Sequence, residues 1–257
     1  MEEKLLLKIK KELCKYSNIP KVLYDYIENA NKKDAKEHLI PVITNKKERK
    51  TVLDAIDNLF KKDFNITKLS PDKLIKTSDF HPKDTDIASL DAVLAELRTI
   101  IFLDTLNLYN IIPLQAKKDE KCADFIAAGG SDRYAIEVFC KISQSPRRTE
   151  DELKKELKTD IILKPLTYED DLFRYYIDKS RCKKIQLDNT AKKYKCNKGI
   201  MVMVLNDPKI FGFLTSADEC TKILSKISTE LDWGSNYYFA IITGLVSLDI
   251  IYPSITL

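Results

Sequence analysis

Two acids set on either side of a glycine pair are the residues of this chain best suited to chemistry. In CADFIAAGGSDRYAIEVFCK, residues 122–141, Asp124 stands in one apolar run and Glu137 in the next, with Gly129-Gly130 between them. Apolar runs flanking such a pair predict a β-hairpin, and a hairpin can bring one carboxylate from each strand to the same place. Two converging carboxylates repel unless a cation lies between them. Mg²⁺ suits that position, because it takes hard oxygen ligands and needs only one or two carboxylates beside water and substrate phosphates. Mn²⁺ accepts similar donors. The inventory leaves few rivals: the only histidines are His38 and His81, both in the N-terminal third, so a histidine-built metal site is hard to assemble. Gly129-Gly130 reads as a turn device and not a phosphate loop, since the GxxxxGK[ST] spacing and following helix are missing.

Cationic partners for this chemistry lie in two places. Strand side chains alternate, so Glu137, Phe139 and Lys141 share one face while Val138 and Cys140 take the other. Lys141 is therefore a candidate catalytic ammonium, one pleat beyond Phe139. The second place is the segment 179–198, which carries eight Lys or Arg against Asp188 alone, a local charge of +7 in a chain of net +4. Lys179, Lys183 and Lys184, with Phe173, Tyr175, Tyr176 and Tyr194 nearby, predict a face that tracks a phosphate backbone by releasing its counterions. Each residue taken singly has a plainer reading: a helical Glu or Lys usually faces solvent, and a Lys can simply end a strand. The argument rests on their order.

The 257 residues, 44% hydrophobic and 32% charged with mixed sign, can bury a real core and argue against wholesale disorder. A net charge of +4 is too mild to imply a nucleic-acid partner by itself. The six cysteines are scattered with no CxxC pair, and Lys8 interrupts the apolar N-terminal run. These features predict reduced thiols in a cytoplasmic protein with no secretory leader. The apolar run Tyr237 to Leu248 has 12 residues, short of the ~20 needed to cross a bilayer, so no membrane partner is expected.

The elements that must position the acids follow from periodicity. All six glycines fall at or after Gly129, and the first half reads as helices at 2–16, 21–31, 46–62 and 71–76. Ser89 is placed to cap a helix whose apolar residues recur from Leu90 to Leu106. Strands are expected at 111–115, 122–127 and 134–142, then an exposed helix at 149–158. A long helix over 169–194 should end through glycine near Asn197-Gly199, before a strand at 199–205 buried on both faces. A helix at 215–230 and strands at 238–243 and 246–251 complete the chain. This is an α/β pattern: a mixed sheet flanked by helices, residues 86–257, preceded by an N-terminal helical region, residues 1–85, with the boundary at His81-Pro82.

The order of these residues resembles the PD-(D/E)XK, or restriction-endonuclease-like, nuclease superfamily. Its pattern is a helix with an inward Glu, a strand bearing Asp, a hairpin to a strand bearing Glu-x-Lys, and a helix with Lys and Gln ahead of a buried strand. Here Glu96 lies in AELRTIIFL, Asp124 in CADFI, Glu137 in AIEVFCK, and Lys183, Lys184 and Gln186 in CKKIQL; the likeness covers residues 89 to about 252. It departs from the pattern at Phe139, which stands where the family has lysine, so Lys141, or Lys183 or Lys184 from the helix, must supply the amine. The resemblance implies a Mg²⁺-dependent endonuclease acting on nucleic acid, with DNA the expected substrate and a homodimer left open. Asp124, Glu137 and the Val138 carbonyl would hold the metal, and Glu96 would contribute from its helix. The alternative is a catalytically degenerate module on the same fold that binds nucleic acid or protein.

Overall fold

The computed structural model of the chain describes residues 7, 11–25, 46–61, 64–77, 87–115, 122–141, 168–205, 225–227, 229–231, 235–243 and 250–252. Among the described residues, the helices α1 (Lys46–Phe60), α2 (Pro71–Thr77), α3 (Ile87–Thr105) and α4 (Tyr168–Tyr194) accompany six strands. These are β1 (Tyr109–Pro113), β2 (Phe125–Gly129), β3 (Asp132–Lys141), β4 (Lys198–Leu205), β5 (Tyr237–Thr243) and β6 (Ile250–Tyr252). They form one sheet in sequence order, β1 to β6. β1, β2 and β3 are antiparallel neighbours, β4 runs parallel to β3 and β5 parallel to β4, and β6 closes the far edge antiparallel. The expected mixed sheet between helices is present.

The turn of the hairpin is set by glycine chemistry. Gly129 pairs with Asp132, and Gly130 adopts φ 57°, a conformation that costs glycine nothing. The parallel pair β3–β4 needs a crossover, and α4 provides part of it. Strand β4 is buried on both sides, as its unbroken apolar run predicts. Ile200, Val202 and Val204 join one core cluster; Met201 and Met203 join the other.

That division defines the layers. On one face, Phe125, Ala127, Ile136, Val138 and Ala240 pack with α3 and with Leu13, Leu23, Leu53, Ile56 and Ile75 of the N-terminal region. The buried residues of 1–85 are thus contiguous with those of the sheet, and the segment is distinguished by its helices and not by a core of its own. On the opposite face, Ala135, Phe139, Met201, Met203 and Ile241 meet Ile177 and Leu187 of α4. Within α3, Leu94, Ala95, Leu97, Ile100 and Leu103 are all buried, as expected of a helix enclosed between layers.

Several boundaries differ from the sequence reading. α3 begins at Ile87, so Ser89 lies within its first turn and is not its cap. α4 ends through Lys195, which takes φ 56°, while the Cys196 N–H donates to the Ala191 carbonyl. A lysine, not a glycine, occupies the left-handed position. Gly199 instead lies in β4 against Tyr237, whose ring would stand 2.5 Å from an added Cβ. The expected helix at 149–158, the His81-Pro82 boundary and most of the helix at 215–230 lie outside the described residues. Among the described residues, no helix is long and apolar enough to cross a membrane, and Cys14, Cys122, Cys140, Cys182 and Cys196 are free thiols.

Candidate functional site

β2 and β3 bring the two acids together. Phe125 pairs with Ile136, and the ladder ends there in an irregularity, with the Asp124 N–H donating to the same Ile136 carbonyl at 3.0 Å. Asp124 lies close enough to Glu137 that its charge acts on the Glu137 carboxyl, and both acids feel Lys183. The Asp124 backbone is also held from the other side, by the Leu114 N–H at 2.8 Å. Its carboxylate Oδ2 accepts the Val138 N–H at 2.7 Å. Since a strand residue directs its N–H and C=O to the same edge, the Val138 carbonyl points to the Asp124 side too.

The third member comes from α4. Lys183 Nζ hydrogen-bonds and ion-pairs with Glu137 Oε1. Glu137 is fully buried, whereas the Lys183 side chain keeps 25% of its surface. Among the described residues, the second Glu137 oxygen, Oε2, is buried without a hydrogen-bond partner. Such an atom is costly to enclose, and two carboxylates facing one ammonium leave the point short of positive charge.

The electrostatics follow from that imbalance. Burial raises the Glu137 carboxyl well above its usual range and the Asp124 charge adds to the rise, with Lys183 offsetting only part. Asp124 is raised by burial as well, against the opposing pull of Lys183 and the Val138 N–H. For Lys183, burial favours the neutral amine, but Glu137 and Asp124 outweigh it, so its pKa is raised and the ammonium persists.

One face of α4 positions all of this. Gln186 Nε2 donates to the Cys122 carbonyl at 3.1 Å, and Thr190 Oγ1 accepts the Ala123 N–H at 2.7 Å. Residues 183, 186 and 190 follow helical spacing, so a single stripe supplies the ammonium and anchors the chain just ahead of Asp124. This also explains why β2 starts at Phe125 and not at Cys122: backbone groups of the preceding residues are bonded to helix side chains. Gln186 thus serves as an anchor here. Thr190 was not among the residues expected from sequence, although its place on the Lys183–Gln186 stripe could have marked it.

The other expected residues are distributed differently. Lys184 turns aside to Asp188 Oδ2 at 2.9 Å and stands 5.2 Å from the Tyr237 ring centroid; Tyr237 in turn bonds Asp188. Lys179 is exposed on α4. Glu96 is half-buried on α3 and contributes a minor attraction to Lys183. Among the described residues no three His, Cys, Asp or Glu side chains are grouped to hold a metal. Lys141 ends β3, its backbone beside Leu205; its side chain lies outside the described part. Phe139 is buried among apolar neighbours of α4 and β4. The chain matches no protein-family model, no curated protein and no solved structure.

Proposed function

We propose that this chain is a metal-dependent nuclease of restriction-endonuclease-like type that hydrolyses phosphodiester bonds, with DNA as its substrate. The observation that carries this reading is the meeting of Asp124, Glu137 and Lys183 at one enclosed point where Glu137 Oε2 has no partner among the described residues. That orphan oxygen and the charge deficit fit a divalent ion whose remaining ligands are water and substrate. Asp124 and Glu137 would hold Mg²⁺ or Mn²⁺, with the Val138 carbonyl directed to the same edge. The bound ion would polarise a phosphoryl oxygen and acidify a water.

The protein's own contribution is positional and electrostatic. Lys183 keeps its proton beside two carboxylates and can donate to an attacking water or to a phosphoryl oxygen as negative charge builds. It supplies from the helix the ammonium that the Phe139 position lacks. Gln186 and Thr190 hold the chain entering β2, and the Val138 N–H fixes the Asp124 carboxylate, so the acids need little reorganisation.

A second reading is a nuclease-like module that binds nucleic acid without cutting it. The burial of Phe139 at the position where the family has lysine and the direct closure of Lys183 on Glu137 Oε1 favour it, because the first removes an amine and the second occupies one carboxylate oxygen. Incubating plasmid and single-stranded DNA with the protein in Mg²⁺, Mn²⁺ or EDTA separates the two. Cleavage should require metal and fall about a thousandfold in Glu137→Gln. Metal-dependent cleavage undiminished in that variant would remove Glu137 from the reaction, and binding without cleavage under every metal would install the second reading.

A further inference from the structure

On the sheet face that carries the acid pair, α4 packs over β3 and β4, whereas Ile112 of β1 keeps about half of its surface exposed. Ile112 lines a cavity of about 510 Å³, within the size range of small-ligand sites. The strand register identifies its floor. Ile112 pairs with Ile126, and Ala128 with Arg133. By alternation Ile126 and Ala128 share one face of β2, while Arg133, Ala135 and Glu137 share that face of β3. Ile126 pairs with Ala135, one pleat or about 6–7 Å along β3 from Glu137, so the shelf borders the acid pair at Glu137.

The chemistry of the cavity is lopsided. Ile112, an unusually exposed large apolar residue at 52%, lies with Ile126 and Ala128 on its floor. Lys68 and Arg133, both exposed, line it, and among the described residues no acidic side chain does. Lys68 and Asn110 both line it with positive φ, 55° and 49°, conformations that non-glycine residues hold only where the surroundings impose them. An apolar floor with a cationic rim complements a ligand that is flat and apolar at one end and anionic at the other.

We infer that this cavity receives one nucleotide of a single-stranded nucleic acid adjoining the acid pair, the base against Ile112, Ile126 and Ala128 and a phosphate between Arg133 and Lys68. A single strand is required because a base must leave its stack to lie on such a floor. The placement beside a scissile phosphate rests on the nuclease reading; the binding does not.

The test reads binding alone. Anisotropy of a fluorescein-labelled dodecathymidylate is followed with the full chain in EDTA, over a range of salt. Ile112→Glu should weaken binding about tenfold. Lys68→Gln combined with Arg133→Gln should weaken it similarly and lower the slope of log affinity against log salt by about 1.4, the loss of two phosphate contacts to a single strand. Melting temperatures check that these surface substitutions leave the fold intact. A measurement without variants uses amide NMR: thymidine 5′-monophosphate should shift Asn110 and Ala128, and inorganic phosphate should not. Wild-type-like affinity in both variants, binding confined to duplex DNA, or shifts with phosphate alone would each overturn the inference. Because metal is absent throughout, failure to cut DNA leaves it standing. Shelf variants that keep wild-type affinity in EDTA, and wild-type cleavage in a separate assay with Mg²⁺, would sink the shelf and spare the nuclease reading.

Discussion

The two faces of β3 are built from one strand and solve different problems. Toward α3, Tyr134, Ile136 and Val138 enter an apolar layer that extends to the N-terminal helices, with Arg98 and Thr99 of α3 buried as well. Toward α4, Ala135 and Phe139 are equally buried in apolar surroundings, but Glu137 lies between them with no exposed surface. The β3 side chains on the first face are explained by apolar burial, each large one contributing about 1.5–3 kcal/mol. The second encloses a carboxylate beside another carboxylate, an arrangement less favourable than a hydrocarbon of the same size. A strand that makes an apolar layer on one side had no folding reason to place Glu137 on the other. That contrast is the physical case for chemistry at this point.

The largest effect should come from moving the carboxylate across the strand. Ile136→Asp puts an unpartnered acid into the layer shared with α3 and should cost more than about 4 kcal/mol, so that urea unfolding finds no native baseline at neutral pH. A stable, cooperative Ile136→Asp protein would mean that the two faces differ less than their packing indicates.

A smaller effect is expected from removing the cation that tempers the second face. Lys183→Met leaves Asp124 and Glu137 unopposed and should destabilise the metal-free protein by about 2–3 kcal/mol at pH 7, with part of the loss restored by millimolar Mg²⁺. The wild type carries the related pH signature. Because the folded pKa of Glu137 is raised, its contribution to stability is full below the ordinary carboxyl range and is lost as pH rises through the folded value. Metal binds the deprotonated site, so the gain in melting temperature from Mg²⁺ should grow from near zero at pH 5 toward an equivalent of about 2 kcal/mol at pH 8. A Mg²⁺ gain that does not change with pH would detach the ion from these acids.

The smallest effect tests the anchors. Gln186→Leu removes the bond to the Cys122 carbonyl and should cost about 1 kcal/mol while lowering cleavage about tenfold through looser placement of Asp124. Denaturant titration alongside cleavage rate separates the two: stability loss without rate loss would make Gln186 a purely structural tie.

Local patterns determined much of this protein. The glycine pair and its flanking apolar runs specified the hairpin, and the period-2 alternation put Glu137 and Phe139 on one face. The unbroken run at 200–204 specified a strand buried on both sides, and the spacing from Leu90 to Leu106 specified α3. These features act over a few residues, so they are legible in order alone. Element ends were less legible. The sequence placed β2 at Cys122, but the backbone groups there are bonded to Gln186 and Thr190, more than sixty residues away. Likewise, Lys195 took the left-handed position assigned to glycine because the α4 end is fixed by the Cys196 N–H and not by residue preference.

What only tertiary structure decided is which lysine meets the acids. Lys183 and Lys184 are neighbours of the same type, and nothing local separates them, yet a helix turns successive side chains by about 100°. Docking α4 on β3 and β4 therefore aims Lys183 at Glu137 and Lys184 at Asp188 and Tyr237. The sequence names the residue types and their faces; the angle and position at which distant elements pack assign each side chain its partner.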